Sequence, residues 1–133
     1  MEQATTTQDK KVLIIDDETP MLDALTDKFE REGFDRVLTA HDGEEGLAKA
    51  LAERPDLILL DILMPKMDGI TMLKKLREDE WGKTVKVIIL TNFDTTDDML
   101  KEVTSTEPSY YLLKSNWRIE DVIIKAKEVL GLL

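Results

Sequence analysis

Three short apolar runs, at residues 12–15, 57–60 and 85–90, constrain the fold most, because they are rich in Val, Ile and Leu and too short for buried helices. Runs of this kind suit strands covered on both faces, as at the centre of a parallel sheet. Weaker runs at 37–40 and 110–113 suit the two edges of the same sheet.

Between the runs, apolar residues recur at helical spacing. Leu22, Leu25 and Phe29 follow a Thr19-Pro20 start signal, with Thr19 as the expected cap, and precede a Gly33 stop. Leu47, Ala50 and Leu51, then Ile70, Leu73 and Leu76, predict two further helices, opened by the pairs Asp42-Gly43 and Asp68-Gly69. A fourth is expected around Met99, Leu100 and Val103, ahead of the poor helix residues Thr104, Ser105, Thr106 and Pro108. The fifth carries Ile119, Val122, Ile123, Ala126, Val129 and Leu130 on one face and stops at Gly131. Strand and helix thus alternate throughout, which predicts an α/β domain: a doubly wound, five-stranded parallel sheet with five helices on its two faces, joined by right-handed crossovers. Residues 1–9 are polar and aperiodic and read as a disordered N-terminal arm; residues 10–133 read as one domain.

Composition removes several function classes. With 28 acidic against 18 basic side chains the net charge is −10, so direct nucleic-acid binding through clustered Lys and Arg is not expected. There is no Cys, which excludes disulfides, thiolate metal sites and Cys nucleophiles. The single histidine, His41, precedes Asp42-Gly43 and reads as an exposed turn residue. No apolar run approaches the roughly 20 residues of a membrane span, and the start lacks the apolar core of a signal peptide. A cytoplasmic protein without membrane contact is the expectation.

In a doubly wound sheet, ligands bind beyond the carboxyl ends of the strands, where strand order reverses. Asp16-Asp17-Glu18 follow the first run, Asp61 the third, Thr91 the fourth and Lys114 the fifth. A strand order of 2-1-3-4-5 makes the first and third strands neighbours and gathers Asp16, Asp17 and Asp61 on one rim. Three carboxylates there repel one another unless a hard divalent cation joins them, and Mg²⁺ takes oxygen ligands at about 2.0–2.1 Å. The charge of Lys114 and the hydroxyl of Thr91 suit an anion arriving beside that metal, and a phosphoryl group fits. An Asp carboxylate can act as the nucleophile that forms an acyl phosphate while Mg²⁺ and Lys neutralise the equatorial oxygens. Asp61, alone and central, is the natural nucleophile. Taken singly, Asp16 or Asp17 could be a helix cap, Asp61 a turn residue and Lys114 a solvated side chain; the four together are not explained that way.

Four stretches carry a resemblance to a known family: Val12-Leu13-Ile14-Ile15-Asp16-Asp17-Glu18, Asp61-Ile62-Leu63-Met64-Pro65-Lys66-Met67-Asp68-Gly69, Thr91, and Tyr111-Leu112-Leu113-Lys114. Together they resemble the receiver domain of two-component response regulators, of the stand-alone, chemotaxis-receiver kind, over roughly residues 11–133. The resemblance implies a flavodoxin-like fold and a phosphorylation switch for signal transduction, in which Asp61 accepts phosphate from a histidine kinase or a His phosphotransfer protein. It implies that Asp17 and Asp61 bind Mg²⁺ directly, that the Leu63 backbone carbonyl completes the protein ligands, and that Asp16 acts through water. Lys114 would pair with the phosphoryl oxygens, Thr91 would hydrogen-bond one of them, and Tyr111 would turn inward as Thr91 moves. Output would be read on the face of the fourth helix, fifth strand and fifth helix.

Such a phosphoprotein is not an enzyme with a separate substrate, although it catalyses its own phosphorylation and slow autodephosphorylation. With no further domain expected after Leu133, output would pass through an unknown partner, a homodimer on that face, or a phosphorelay. The chain has Ser115 where the family has Pro, Asn92 where it has a small residue, and Thr106-Glu107-Pro108 where it has a Gly-containing turn. Leu63 and Phe93 are apolar at positions that flank the path of the hydrolytic water, which predicts a long-lived aspartyl phosphate.

Other readings remain open on the residues alone. A Mg²⁺-dependent phosphatase with an Asp nucleophile uses a similar kit, but it needs an Asp-x-Asp after the first strand, and here Asp16 and Asp17 are adjacent. A flavin-phosphate carrier would need hydroxyls and free N–H groups where Asp16-Asp17-Glu18 stand. A docking module that is never phosphorylated is the third.

Overall fold

The computed structural model describes residues 7–91, 101, 105, 110–113 and 118–132, with residues 8, 91 and 110–113 described by their backbone alone. Five parallel strands form one sheet in the order β2-β1-β3-β4-β5: β1 (Lys11–Ile15), β2 (Arg36–Ala40), β3 (Leu57–Asp61), β4 (Lys86–Thr91) and β5 (Tyr110–Leu113). The expected α/β class and strand order are both present. The sheet is covered by α1 (Thr19–Arg31), α2 (Gly43–Glu53), α3 (Gly69–Leu76) and a C-terminal helix (Ile119–Val129). The helix expected around Met99, Leu100 and Val103 falls outside the described residues, as do Asn92, Phe93, 106–108, Lys114 and Ser115; Lys101 and Ser105 are helical.

The strands are apolar throughout because both faces are covered, and their side chains alternate between two core layers. Val12, Ile14, Leu57 and Leu59 pack with Leu22, Leu25 and Phe29 of α1 and with Val122, Ile123 and Ala126 of the C-terminal helix. Leu13, Ile15, Ile58 and Leu60 pack on the opposite face with Ala50 of α2 and with Met72, Leu73 and Leu76 of α3. Each fully buried Leu or Ile contributes about 1.5–3 kcal/mol, so stability is concentrated under β1 and β3, the strands that carry the candidate site.

Three local features differ from the sequence reading. The N-cap of α1 is Glu18 rather than Thr19, and its side chain makes no cap hydrogen bond. Asp61 and Thr91 are the last residues of β3 and β4 rather than the first after them. Within the arm expected at 1–9, Thr7–Asp9 form a 3₁₀ turn in which the Lys10 N–H donates to the Thr7 carbonyl at 3.2 Å. Gly33, with φ of 97°, stops α1 as expected. Beyond it Phe34 turns back onto Phe29 edge to face, with ring centroids 5.1 Å apart.

Candidate metal centre at the carboxyl ends of the strands

The Asp16 N–H still donates to the Ala40 carbonyl at 3.1 Å, so the sheet holds the chain up to the first acidic residue. There the Asp16 carboxylate accepts from the Glu18 N–H at 2.9 Å, an Asx turn that bends the chain over the rim and into α1. Asp61 is held by the ladder itself, with its Cα opposite Leu90 of β4. Its Oδ1 accepts from the Ile62 N–H at 2.9 Å. Two buried carboxylates result, Asp16 at 2% and Asp61 at 5% exposure, the buried charged side chains among the described residues.

The loop from β3 to α3 is fixed just beneath Asp61. The Gly69 N–H donates to the Ile62 carbonyl at 2.7 Å. A Cβ on residue 69 would lie 2.1 Å from the Asp61 carbonyl oxygen, so only glycine lets the loop close this tightly. Asp68 caps α3 by accepting from the N–H and the hydroxyl of Thr71, both at 2.9 Å. Leu63, in the same loop, is 56% exposed.

One carboxylate oxygen from each of Asp16, Glu18 and Asp61 lies within 4.8 Å of the other two. Six oxygens at about 2.0–2.1 Å around one Mg²⁺ stand roughly 3 to 4 Å apart, so a small closure would let this group share an ion. Hard, anionic oxygen donors, two of them buried, are the donor set that Mg²⁺ prefers. Asp16 and Asp61 therefore meet as expected. The third member is Glu18; Asp17 is exposed and outside the group. The sequence signal for Glu18 was the Asp-x-Glu spacing ahead of Pro20, because an Asx turn at Asp16 returns residue 18 to the rim.

The backbone register also places two further expected residues. Thr91 follows Leu90, the partner of Asp61, and pairs with Leu113, the residue before Lys114. Tyr111 of β5 pairs with Ile89 of β4. Lys114 is outside the described residues.

A strand order that reverses between β1 and β3, with an acidic trio on that rim, is the arrangement of a known family, and its family model, the response regulator receiver domain, matches residues 12–126. The chain belongs to the response regulator receiver domain family. Among relatives of this receiver, the alkaline phosphatase synthesis transcriptional regulatory protein PhoP of Bacillus subtilis (strain 168) is 51% identical over 71 residues, covering 53% of the chain and 29% of that protein. The Vibrio cholerae chemotaxis protein CheY4 superposes with a TM-score of 0.81 at 29% identity, covering 90% of this chain and 98% of that one. The CheX-CheY-BeF3-Mg²⁺ complex from Borrelia burgdorferi gives a TM-score of 0.79 at 32% identity, with 90% and 88% covered. The receiver spans a quarter to a half of the length of most of the curated relatives it matches, from 25% to 49%. No helix among the described residues is long and apolar enough to cross a membrane.

Proposed function

We propose that this receiver is a Mg²⁺-dependent phosphorylation switch in two-component signalling, with Asp61 as the phosphoacceptor. The observation that carries the reading is a buried Asp61 at the end of the central strand, its carboxylate oxygen within 4.8 Å of those of Asp16 and Glu18. A carboxylate in that position is fixed by strand pairing and by the Ile62 N–H, so it meets a phosphodonor without reorganisation. Bound Mg²⁺ would neutralise charge on the transferring phosphoryl group. The acidic rim supplies its ligands. Asp61 and Asp17 are the direct ligands that the family resemblance names, with the Leu63 carbonyl beside them and Asp16 acting through water; Glu18 completes the negative field. A relative's structure that holds BeF3 and Mg²⁺, the Borrelia burgdorferi CheX-CheY complex, supports the presence of a Mg²⁺ site here.

In this reading Asp61 attacks the phosphorus of a phosphohistidine, the P–N bond breaks, and the imidazole leaves with the proton it needs from solvent. Lys114 and Thr91 bind the new phosphoryl oxygens, Tyr111 follows Thr91, and the altered surface recruits an output partner. A phosphoryl group adds about −1.5 to −2 charges, and it biases the switch only through contacts formed in one state. The donor is a histidine kinase or a His phosphotransfer protein, and the setting is cytoplasmic. The protein acts on its own Asp61 rather than on a released substrate, with slow autodephosphorylation. Incubation with Mg²⁺ and acetyl phosphate, read by intact mass, tests this: the native chain gains one phosphoryl group and Asp61→Asn gains none. A native chain that stays unmodified at millimolar Mg²⁺ refutes the assignment.

A further inference from the structure

At the opposite, amino-terminal end of the sheet lies a second concavity of about 280 Å³ with the reverse electrostatic character. Lys10 precedes β1, Arg54 and Asp56 precede β3, Lys86 opens β4, and Trp81 and Val129 close the sides. A five-residue strand rises about 3.3 Å per residue, so this pocket is roughly 15 Å or more from the acidic rim. It is separate from the phosphoacceptor site.

Three cations therefore face one carboxylate, in a chain whose net charge is −10. That carboxylate is committed elsewhere: Asp56 accepts from the Lys11 N–H at 2.8 Å, and its own N–H donates to the Lys11 carbonyl at 2.8 Å. Among the described residues Lys10, Arg54 and Lys86 make no ion pair, whereas the neighbouring Lys11 pairs with Glu53 at 3.3 Å. Converging unpaired cations raise the local concentration of anions. Arg54 also holds a left-handed backbone, φ 48°, at the end of α2, where glycine is the ordinary residue. The cation is kept at a backbone cost.

The apolar wall is fixed in place. Trp81 is half-buried against the core layer of α2 and α3. Its loop is tied by Arg77, which donates to the Gly82 and Val85 carbonyls at 2.8 and 2.9 Å, and by Asp79, which accepts from the Gly82 N–H at 3.0 Å. A ring held this way offers a planar surface without an ordering cost. The volume sits at the lower end of ligand pockets, roughly 300 Å³ and upward, so the occupant is small.

We propose that this pocket binds a small phosphorylated molecule bearing a planar ring, of the size of a nucleoside monophosphate, with its phosphate among Lys10, Arg54 and Lys86 and its ring against Trp81. The test uses the full chain without divalent cations, titrated with adenosine monophosphate and, in separate arms, with inorganic phosphate and adenosine. Binding is read by calorimetry and by the Trp81 indole N–H resonance, assigned with Trp81→Phe. The expected result is saturable binding of the monophosphate, at least about tenfold tighter than either arm because charge-assisted and stacking contacts act together. Lys86→Gln and Arg54→Gly should each weaken it by about threefold or more, while Arg54→Gly keeps or raises the melting temperature because glycine suits that φ. No binding at millimolar ligand, equal binding of all three probes, indifference to both substitutions, or loss of binding in Asp61→Asn would each overturn the proposal.

Discussion

Gly69 approaches Asp61 so closely that a Cβ on residue 69 would stand 2.1 Å from the Asp61 carbonyl oxygen. The helix-opening Asp68-Gly69 pair is thus also the floor beneath Asp61, the proposed phosphoacceptor. Gly69→Ala must push either the loop or the end of β3. Overpacking of this kind costs about 1–3 kcal/mol, and the displacement falls on Asp61. Urea unfolding should show that loss, and phosphorylation by acetyl phosphate should slow by about tenfold or more, since small misplacements of reacting groups are costly. A variant with unchanged stability and rate would show that the loop yields freely.

The acidic rim offers two candidates for its third carboxylate, and they are separable. If Asp17 is the direct ligand, Asp17→Asn weakens Mg²⁺ by about tenfold or more, while Glu18→Gln, which removes only a nearby charge, weakens it by a few-fold. Calorimetric Mg²⁺ titration of both variants decides. The reverse order would make Glu18, the residue beside Asp16 and Asp61 in this structure, the ligand.

Leu63 is an exposed apolar residue, 56% accessible, two positions beyond Asp61. Its side chain offers no hydrogen bond to a hydrolytic water, and neither does that of Phe93. Leu63→Asn and Phe93→Glu should shorten the lifetime of the aspartyl phosphate by about tenfold, less than the roughly 10²–10⁴-fold that a fully positioned acid or base contributes. Following phosphate loss by intact mass after removal of the donor measures it, and an unchanged lifetime removes the idea.

Lys127 of the C-terminal helix reaches Glu32 at the end of α1 at 2.8 Å, with Lys28 at 3.7 Å. The hydrogen bond and charge of Lys127 hold the Glu32 carboxyl below its ordinary 4.5, with a smaller contribution from Lys28. A carboxyl lowered on folding stabilises the native state above its unfolded value, and that contribution disappears as pH falls through the folded value. Both partners are partly exposed, so Glu32→Gln should cost less than about 1 kcal/mol at neutral pH. The gap to the native chain should close below pH 4.5. A gap that persists in acid would point to packing instead.

Most of the fold was legible because its signals are local. Runs such as 57–60 suit covered strands by length and apolar content, and the 3.6-residue spacing from Ile119 to Val129 suits a one-sided helix. Strand order was supposed rather than read: the order 2-1-3-4-5 is what brings Asp16 and Asp61 to one rim, and the sheet has that order. Less legible was which further acidic side chain joins Asp16 and Asp61 at the rim. The Asx turn at Asp16 selects Glu18, and an N-cap at Glu18 displaces Thr19 from the role its residue type suggested. Propensity favours hydroxyl caps, but here Asp16 already accepts the Glu18 N–H. The basic pocket was invisible for a different reason: Lys10, Arg54 and the stretch from Trp81 to Lys86 lie in three separate segments, and only the fold joins them.

β1 pairs with β2 on one edge and with β3 on the other. During synthesis, Val12–Ile15 therefore leave the ribosome well before their second partner, Leu57–Leu60, exists. Until then the nascent chain carries a sticky apolar edge, the kind of surface that chaperones cover and that self-associates when they do not.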